Sequence, residues 1–364
     1  MNSHWSQFIV SENSIDNQHP QVAASPDGRR VIVVWDGWDE AGSRIFLREN
    51  IDGDWLPEII VDTEPAVKNN SPVAAIDATG NCHVAWLGNV GGRTRVFYAV
   101  RIAGEWANWG TINANEQANR SCESLALRLD DQNKPWLAWQ SGRANLYAIR
   151  VAHLGDSTGA FDIDELTPDC INYNLYPEIF FTPDPSVAWY TANDSNFSLS
   201  AMKYDRIARQ WMKVDIKDFA KLPANRFPYL IQRGTGTFAA LWFDTVSYAD
   251  RVFLGFQDPR TQGEGTVIDH QPDAINHLIT GASDGERIAA VWCIETATSN
   301  SQIYLSHSES LEFPQEILIS DSQKNYYTHP RLSPFAGGVA VVWHSSASDG
   351  GNGLVYYRRV SFDK

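Results

Sequence analysis

The chain has 364 residues, a hydrophobic fraction of 43% and a formal net charge of -15. The apolar content is enough for a large core, whereas the negative charge and the scattered Lys and Arg residues argue against a nucleic acid as the main partner. No apolar stretch reaches the ~18 residues that a membrane span needs, and Met1 begins no leader pattern. We therefore predict neither a membrane span nor a signal peptide.

Seven tryptophans recur at intervals of 50 to 53 residues, and each closes a short apolar run. A period of this length indicates a repeat architecture in which one supersecondary unit occurs seven times. The tryptophans of this period are Trp35, Trp86, Trp139, Trp189, Trp242, Trp292 and Trp343.

The first unit shows the predicted strand order. An inner strand begins at the pair His19-Pro20, because a proline, which lacks its N–H, is tolerated best at a strand start. A tight turn follows at Asp27-Gly28, and a second strand ends at Trp35. Two further strands complete the unit. The third strand contains an aliphatic residue at a fixed position, and an aromatic residue marks the start of the fourth. The same columns recur along the chain, which predicts four short antiparallel strands per unit.

Seven units of four antiparallel strands are typical of an all-β fold, the seven-bladed β-propeller. The seventh unit lacks an outer strand, and the N-terminal segment 4–10 matches the outer segments 54–61 and 312–319 in residue type and order. We therefore predict one propeller domain over residues 1–364, whose ring closes when the N-terminal strand joins the last blade. The predicted blades span residues 19–70, 71–120, 121–174, 175–225, 226–276, 277–328, and 329–364 together with 1–18.

Two columns of the repeat are predicted to face the mouth of the central channel, on the top face. The column just before the inner strands is His19, Ser71, Ser121, Tyr176, Phe227, His277 and His329. The column just after the second strands is Asp36, Leu87, Gln140, Tyr190, Phe243, Cys293 and His344. Histidines are thus concentrated in units six, seven and one, which become neighbours when the ring closes.

Three interpretations of this His-rich mouth remain open. The imidazoles could hold a divalent transition metal, with His19, His277, His329, His344 and Asp36 as candidate ligands. Alternatively, a His and a Tyr could exchange a proton with a substrate while an Arg neutralises a carboxylate, as elimination from a uronic acid requires. The histidines could also simply line a solvated channel. The candidate substrate-binding residues are Trp38, Asp39, Arg331 and Asp244.

The strings from Pro20 to Trp35 and from Pro72 to Trp86 resemble the BNR-like repeats of sialidase-superfamily propellers. The superfamily's Asp-box, Ser-x-Asp-x-Gly-x-Thr-Trp, is not intact, because the segment 25–28 has its Gly one place early and lacks the Thr-Trp. The segment 226–228 resembles the Arg-Ile-Pro start of sialidases only distantly. The resemblance therefore implies a sialidase-like propeller but not a true sialidase.

The superfamily includes polysaccharide lyases that use His, Tyr and Arg at the channel mouth. The resemblance thus implies a glycan or another polar small molecule as ligand, and a lyase or hydrolase as the leading class. The matching catalytic candidates are His277, His329, His344, Tyr176, Tyr190 and Arg226, with Arg331 beside them.

The loops after the period tryptophans differ from unit to unit, which favours one asymmetric site over the recurring pockets of a lectin. A carbohydrate-binding propeller without catalysis and a protein-interaction scaffold, with a protein partner, are the alternatives. The cysteines Cys82, Cys122, Cys170 and Cys293 have no metal-type spacing. We expect buried thiols in a reducing compartment, with a Cys122–Cys170 bridge as the alternative. The cytoplasm is the expected location, or secretion if a leader has been removed.

Overall fold

A computed structural model describes residues 7–362 except for a set of short segments. These are residues 14, 41, 63–67, 114–116, 118, 144–145, 156–158, 168–172, 182, 194–195, 215–227, 234–236, 247–248, 257–264, 272–273, 286, 296–299, 309–311, 322–325 and 347–351, together with the side chains of residues 39, 108, 109, 193, 196, 237, 256 and 346.

The chain forms two compact units, one of residues 1–66 with 228–364 and one of residues 67–227. Every regular element in the described part of the chain is a β-strand. No helix among these residues is long and apolar enough to cross a membrane.

The N-terminal part of the first unit contributes one short strand and one antiparallel sheet. The strands are β1 (Phe8–Ile9), β2 (Asp16–Ala24), β3 (Arg30–Asp39), β4 (Gly42–Ile51), β5 (Asp54–Trp55) and β6 (Ile59–Ile60). The sheet order is β2-β3-β4-β5, and β6 also pairs with β4.

The unit of residues 67–227 contains three four-stranded antiparallel sheets, each built from strands consecutive in the chain. The first sheet has β7 (Asn69–Ile76), β8 (Cys82–Val90), β9 (Arg93–Ile102) and β10 (Glu105–Thr111). The second has β11 (Ser121–Leu129), β12 (Pro135–Arg143), β13 (Leu146–Leu154) and β14 (Phe161–Glu165). The third has β15 (Tyr173–Phe181), β16 (Pro185–Asn193), β17 (Asn196–Asp205) and β18 (Gln210–Lys213).

The C-terminal part of the first unit repeats this order. Its strands are β19 (Tyr229–Arg233), β20 (Thr237–Val246), β21 (Ala249–Phe256), β22 (Thr266–Val267), β23 (Ile275–Ser283), β24 (Ile288–Glu295), β25 (Ser301–Ser308), β26 (Ile317–Leu318), β27 (Tyr326–Phe335), β28 (Gly338–Ser346) and β29 (Leu354–Ser361). Two single parallel bridges, β21 to β23 and β25 to β27, link the groups. The predicted antiparallel four-stranded unit is thus confirmed.

The N-terminal segment supplies the outer strand of the last group. β1 pairs antiparallel with β29, the Val10 N–H donates to the Val355 carbonyl at 2.7 Å, and the Val355 N–H donates to Ser11 Oγ at 3.1 Å. The outer segment of the first sheet makes the same pair of bonds, from Val61 N–H to the Ile45 carbonyl and from Ile45 N–H to Asp62 Oδ1. Residues 10–11 therefore bond to β29 as residues 61–62 bond to β4.

The period tryptophans are buried in the cores between strands. Trp35, Trp86, Trp139, Trp292 and Trp343 are among the largest fully buried side chains. In three sheets the indole N–H donates to an asparagine of the inner strand, as from Trp35 to Asn17 at 2.7 Å. Burial of rings of this size supplies much of the apolar stabilisation of each sheet.

The inner strands begin earlier than predicted and carry a β-bulge where the sequence analysis placed the strand start. In the first sheet Gln18 pairs with Asp36 and Gln21 with Val34, so His19 and Pro20 together oppose Trp35. The first residue of such a bulge has a positive φ in six inner strands. These residues are His19 (46°), Ser71 (51°), Ser124 (51°), Tyr176 (54°), Leu278 (54°) and His329 (49°).

The bulges show that two positions in the column before the inner strands were predicted wrongly. The equivalent residue of the third unit is Ser124 rather than Ser121. In the sixth unit it is Leu278, and His277 pairs with Cys293 one residue before the bulge. Phe227 lies outside the described residues. Because a bulge adds one residue to only one strand, counting from the tryptophans could not locate it.

Leu278 gives a test of the strain at these bulges. A left-handed conformation costs a residue with a β-carbon roughly 1–2 kcal/mol, whereas glycine adopts it freely. We expect Leu278→Gly to be more stable than Leu278→Ala by about 1 kcal/mol, because both variants lose the same exposed side chain and only glycine relieves the strain. Urea unfolding of the two variants measures this difference, and equal midpoints would contradict the strained bulge.

The cysteines in the described part of the chain are all buried. Burial raises the pKa of the Cys293 thiol, which makes it a poor nucleophile. Cys170 lies outside the described residues, so the alternative Cys122–Cys170 bridge stays a prediction.

Candidate functional site

Three histidines come together in the unit of residues 1–66 with 228–364, where β2 packs against β27 and β28. His19 and His329 are the bulge residues of β2 and β27, and His344 follows Trp343 on β28. The ring centroids lie 5.5 Å apart for His19 and His329, 5.0 Å for His329 and His344, and 6.5 Å for His19 and His344. The bulges bring these rings together, since a bulge re-aims the side chain it carries.

Asp36 organises one side of this cluster. Its carboxylate is fully buried, and Oδ1 lies 2.9 Å from His19 Nδ1. The other oxygen, Oδ2, accepts a hydrogen bond from the indole N–H of Trp38. The carboxylate is therefore held at both oxygens, and it fixes the His19 ring with Nδ1 as the donor and Nε2 directed away from the bond. Trp38, a candidate substrate-binding residue, has its indole N–H engaged with Asp36, and its role in binding a substrate stays a prediction.

The protein shifts the pKa values of the three imidazoles in opposite directions. The hydrogen bond to Asp36 raises the pKa of His19. Burial lowers the pKa of His329 to about 4, with a further contribution from the positive charge of Arg331. Burial also lowers the pKa of His344 to about 3. Near neutral pH the cluster thus combines two neutral imidazoles with His19, whose charged form the Asp36 carboxylate stabilises, as in sites that divide acid and base roles.

Two further sequence-predicted residues lie in the same unit. The positive charge of Arg331 lowers the pKa of all three clustered histidines, which places its guanidinium near them. His277 lies close enough to His329 to lower its pKa, and burial lowers its own pKa. His277 Nε2 is buried without a hydrogen-bond partner among the described residues.

A metal ion was one predicted occupant of this cluster. Among the described residues, no group of three or more His, Cys, Asp or Glu side chains is arranged to hold a metal ion. His19 Nδ1 is engaged with Asp36, and His329 Nδ1 lies 3.1 Å from Thr328 Oγ1. The metal role of these histidines and Asp36 therefore stays a prediction.

The remaining predicted site residues are not brought to this cluster by described contacts. Asp244, on β20, accepts the N–H of Thr245 at 2.9 Å. Tyr190 and Tyr176 belong to the unit of residues 67–227, where Tyr190 is buried and burial raises its pKa. Tyr176 is 51% exposed at its bulge. Arg226 and the side chain of Asp39 lie outside the described residues.

Beside Tyr176 the structure shows a pair of residues that the sequence analysis missed. The Tyr147 hydroxyl donates to Glu123 Oε1 at 3.0 Å, and burial together with that carboxylate raises the pKa of Tyr147 to about 12. The Tyr176 N–H donates to Gln140 Oε1 at 2.8 Å. Glu123 directly precedes the bulge residue Ser124, so the assignment of Ser121 to the column before the inner strands concealed it.

The Asp36–His19 pair yields a direct prediction. Asp36→Asn removes the negative charge and the strongest acceptor for His19 Nδ1, so the pKa of His19 should fall from its raised value to 6.5 or below. NMR titration of the ring protons measures this change. The exposed pair Arg29–Asp52 provides the control variant Asp52→Asn, which should leave the His19 titration unchanged. An unaltered His19 pKa in Asp36→Asn would contradict the pairing.

Comparison with known proteins shows the fold. No family model and no curated protein sequence matches the chain. Among solved structures, the polysaccharide lyase Uly1 matches with a TM-score of 0.60 at 8% identity, covering 100% of this chain and 94% of that one. A protein of unknown function from Dyadobacter fermentans matches with a TM-score of 0.54 at 10% identity, covering 98% of both chains.

The sialidase of Trypanosoma rangeli matches with a TM-score of 0.50 at 8% identity, over 97% of this chain and 57% of the longer sialidase chain. Identities this low are informative about architecture and not about chemistry. The chain therefore has a sialidase-like propeller fold.

Proposed function

We propose that this chain is a single-site enzyme that cleaves a uronic-acid-containing glycan by elimination at the histidine cluster, in one seven-bladed propeller closed by its N-terminal strand. The opposed pKa shifts of His19 and His329 are the observation that carries this function. The polysaccharide lyase among the similar structures supports it. A cytoplasmic location stays part of the proposal.

In this reaction neutral His329 acts as the base. It removes the proton on the carbon next to the substrate carboxylate. The electron pair forms a double bond to the adjacent ring carbon as the bond from that ring carbon to the linking oxygen breaks. His19, held by Asp36, donates its proton to the departing oxygen. Arg331 stabilises the carboxylate on which negative charge builds, as positioned cations do in such transition states. Exchange with water then restores both histidines, so protons and electrons balance without a co-reactant.

His344 and Trp38 would support these two groups. His344 packs beside both rings and stays neutral because it is buried, so it adds no charge that would raise the barrier to proton transfer. Trp38 keeps the Asp36 carboxylate oriented toward His19. A rotated carboxylate would release His19 and lower the fraction of the acid form at neutral pH.

The proposal is tested by incubating the purified chain with polysaccharides rich in uronic acid and following the ultraviolet absorbance of the unsaturated product. Mass spectrometry separates elimination from hydrolysis, because hydrolysis adds one water to the products. We expect the unsaturated product, and we expect its formation to survive a chelator. Hydrated products, or a requirement for added metal, would contradict the proposed chemistry.

The binding alternative predicts a different result. The exposed Tyr176 beside Gln140 offers an aromatic surface for a sugar without any catalytic group. If calorimetry finds glycan binding and no product forms from any uronic-acid polymer, the chain is a carbohydrate-binding propeller. A protein partner in pull-downs together with no glycan binding would support the scaffold instead.

A further inference from the structure

A pocket of about 250 Å³ lies in the unit of residues 67–227, at the ends of two neighbouring sheets. The turn of residues 130–134 joins β11 to β12, and the turn of residues 206–209 joins β17 to β18. The end of β13, at His153 and Leu154, completes its wall. None of these residues takes part in the histidine cluster.

Asp130 builds the base of this pocket. Its Oδ1 accepts the N–H groups of Gln132 and Lys134, both at 2.9 Å. Its Oδ2 accepts the Trp136 indole N–H and Arg206 Nη2, both at 3.2 Å. A buried carboxylate with four donors is fully committed to the protein, so it fixes the turn and the Arg206 guanidinium rather than binding a ligand.

The charges around the pocket favour a ligand with one negative group. Lys134 and Arg209 line it together with Arg206, which pairs with the buried Asp130 at 3.2 Å and with the exposed Asp131 at 3.3 Å. Asp130 is already hydrogen-bonded within the protein. Asp162 is exposed and also lines the pocket. A single carboxylate would bind to the cations, whereas hydroxyl groups on the same molecule could donate to Asp162.

The pocket also has an aromatic wall. The Trp136 and His153 rings stack with centroids 4.4 Å apart, and Tyr204 lies 5.1 Å from His153 and 5.5 Å from Trp136. His153 is oriented from behind by Asp164, whose Oδ2 lies 3.7 Å from Nε2. Such a packed wall is rigid, and Tyr204 and Leu154 offer apolar area to the C–H face of a ring.

From these observations we propose that the pocket binds one carboxylate-bearing sugar ring, such as a uronic acid unit. The volume suits a single ring, since it lies just below the ~300 Å³ at which pockets for larger ligands begin. Only the pocket's own residues would contact this ligand, so its binding does not depend on whether the histidine cluster catalyses elimination. If both proposals hold, the pocket is a second binding site of the enzyme for an acidic glycan.

The test titrates the His329→Gln chain, which cannot turn over a substrate, with three probes: glucuronate, methyl glucoside and inorganic sulfate. Calorimetry measures the affinity for each probe. We expect glucuronate to bind at least tenfold more tightly than either other probe, and its affinity to weaken with added salt. The double variant Lys134→Gln/Arg209→Gln should lose tenfold or more of this affinity.

Lys203→Gln is the matched control, because it removes a lysine of the same unit that pairs with Asp184 outside the pocket. It should leave glucuronate binding unchanged. Equal binding of methyl glucoside or of sulfate, absence of glucuronate binding, or unchanged affinity in the Lys134→Gln/Arg209→Gln variant would each overturn the proposal. Tyr204→Phe, which keeps the aromatic wall and all the charges of the pocket, should retain most of the affinity. Urea unfolding of the Lys134→Gln/Arg209→Gln variant checks that it is folded.

Discussion

His329→Gln should lower kcat/KM for a uronic-acid glycan by about 10²–10⁴-fold, the range expected when a general base is removed. Glutamine retains a polar group of similar size but cannot accept the proton at its amide. The affinity for the glycan should change little, because the base acts mainly in the transition state. His270→Gln, at an exposed histidine of the same unit, should behave as the wild type.

The pH profile of kcat/KM distinguishes this role from a structural one. The rate should rise with pH as His329 loses its proton near pH 4. It should fall again at higher pH as His19 loses the proton that its hydrogen bond to Asp36 stabilises, because the pKa of His19 is raised above 6.5. Asp36→Asn should move this upper limb to lower pH and should move the acidic limb much less, because Asp36 acts on His329 only through its charge and is not the main cause of the shift in its pKa. A profile with one limb, or with both limbs unmoved, would contradict the assignment.

Acidification should destabilise the folded chain through His344. Its folded pKa of about 3 lies below the unfolded value of 6.5, so between these values the unfolded state binds more protons and the free energy of unfolding falls as pH falls. From pH 7 to pH 4.5 the loss should be roughly 2–3 kcal/mol from this buried side chain alone. His329 contributes in the same direction.

Urea unfolding at several pH values measures this loss. His344→Gln cannot titrate, so its stability should depend on pH less steeply than that of the wild type, and the two curves should converge as pH falls. Glutamine already occupies the corresponding place in the third unit, at Gln140, which favours tolerance of the substitution. Parallel curves for the two proteins would show that His344 is protonated at little cost and would contradict its buried neutral state.

The sequence predicted the sheets well because their cause is local. Each unit contains its own evidence for the strands: a tryptophan at the end of an apolar run, a turn residue and an aromatic residue in the outer strand. The strands of the structure lie at these positions. The inner strand starts were the exception. The pair His19-Pro20 suggested a beginning, yet β2 starts at Asp16 and the proline lies inside a bulge.

The candidate site was predicted in part. His19, His329, His344 and Asp36 were named from their columns, and the structure brings them together. His277 was aligned with them, although the bulge residue of its strand is Leu278. The pairing of Trp38 with Asp36 and the Tyr147–Glu123 pair could not be found, because both depend on side-chain directions that the repeat does not encode.

The sequence by itself determined the repeat, its strand order and the histidines that depart from it, since these follow from periodic burial along each strand. Only the tertiary structure decided which imidazole favours a proton. A pKa depends on burial and on charges from several parts of the chain: Asp36 acts on His19 within one sheet and Arg331 acts on His329 within one strand, whereas His19 acts on His329 from a strand that is distant in sequence. The Asp130 pocket likewise depends on the tertiary structure, because Arg206 donates a hydrogen bond to Asp130 from 76 residues away in the sequence.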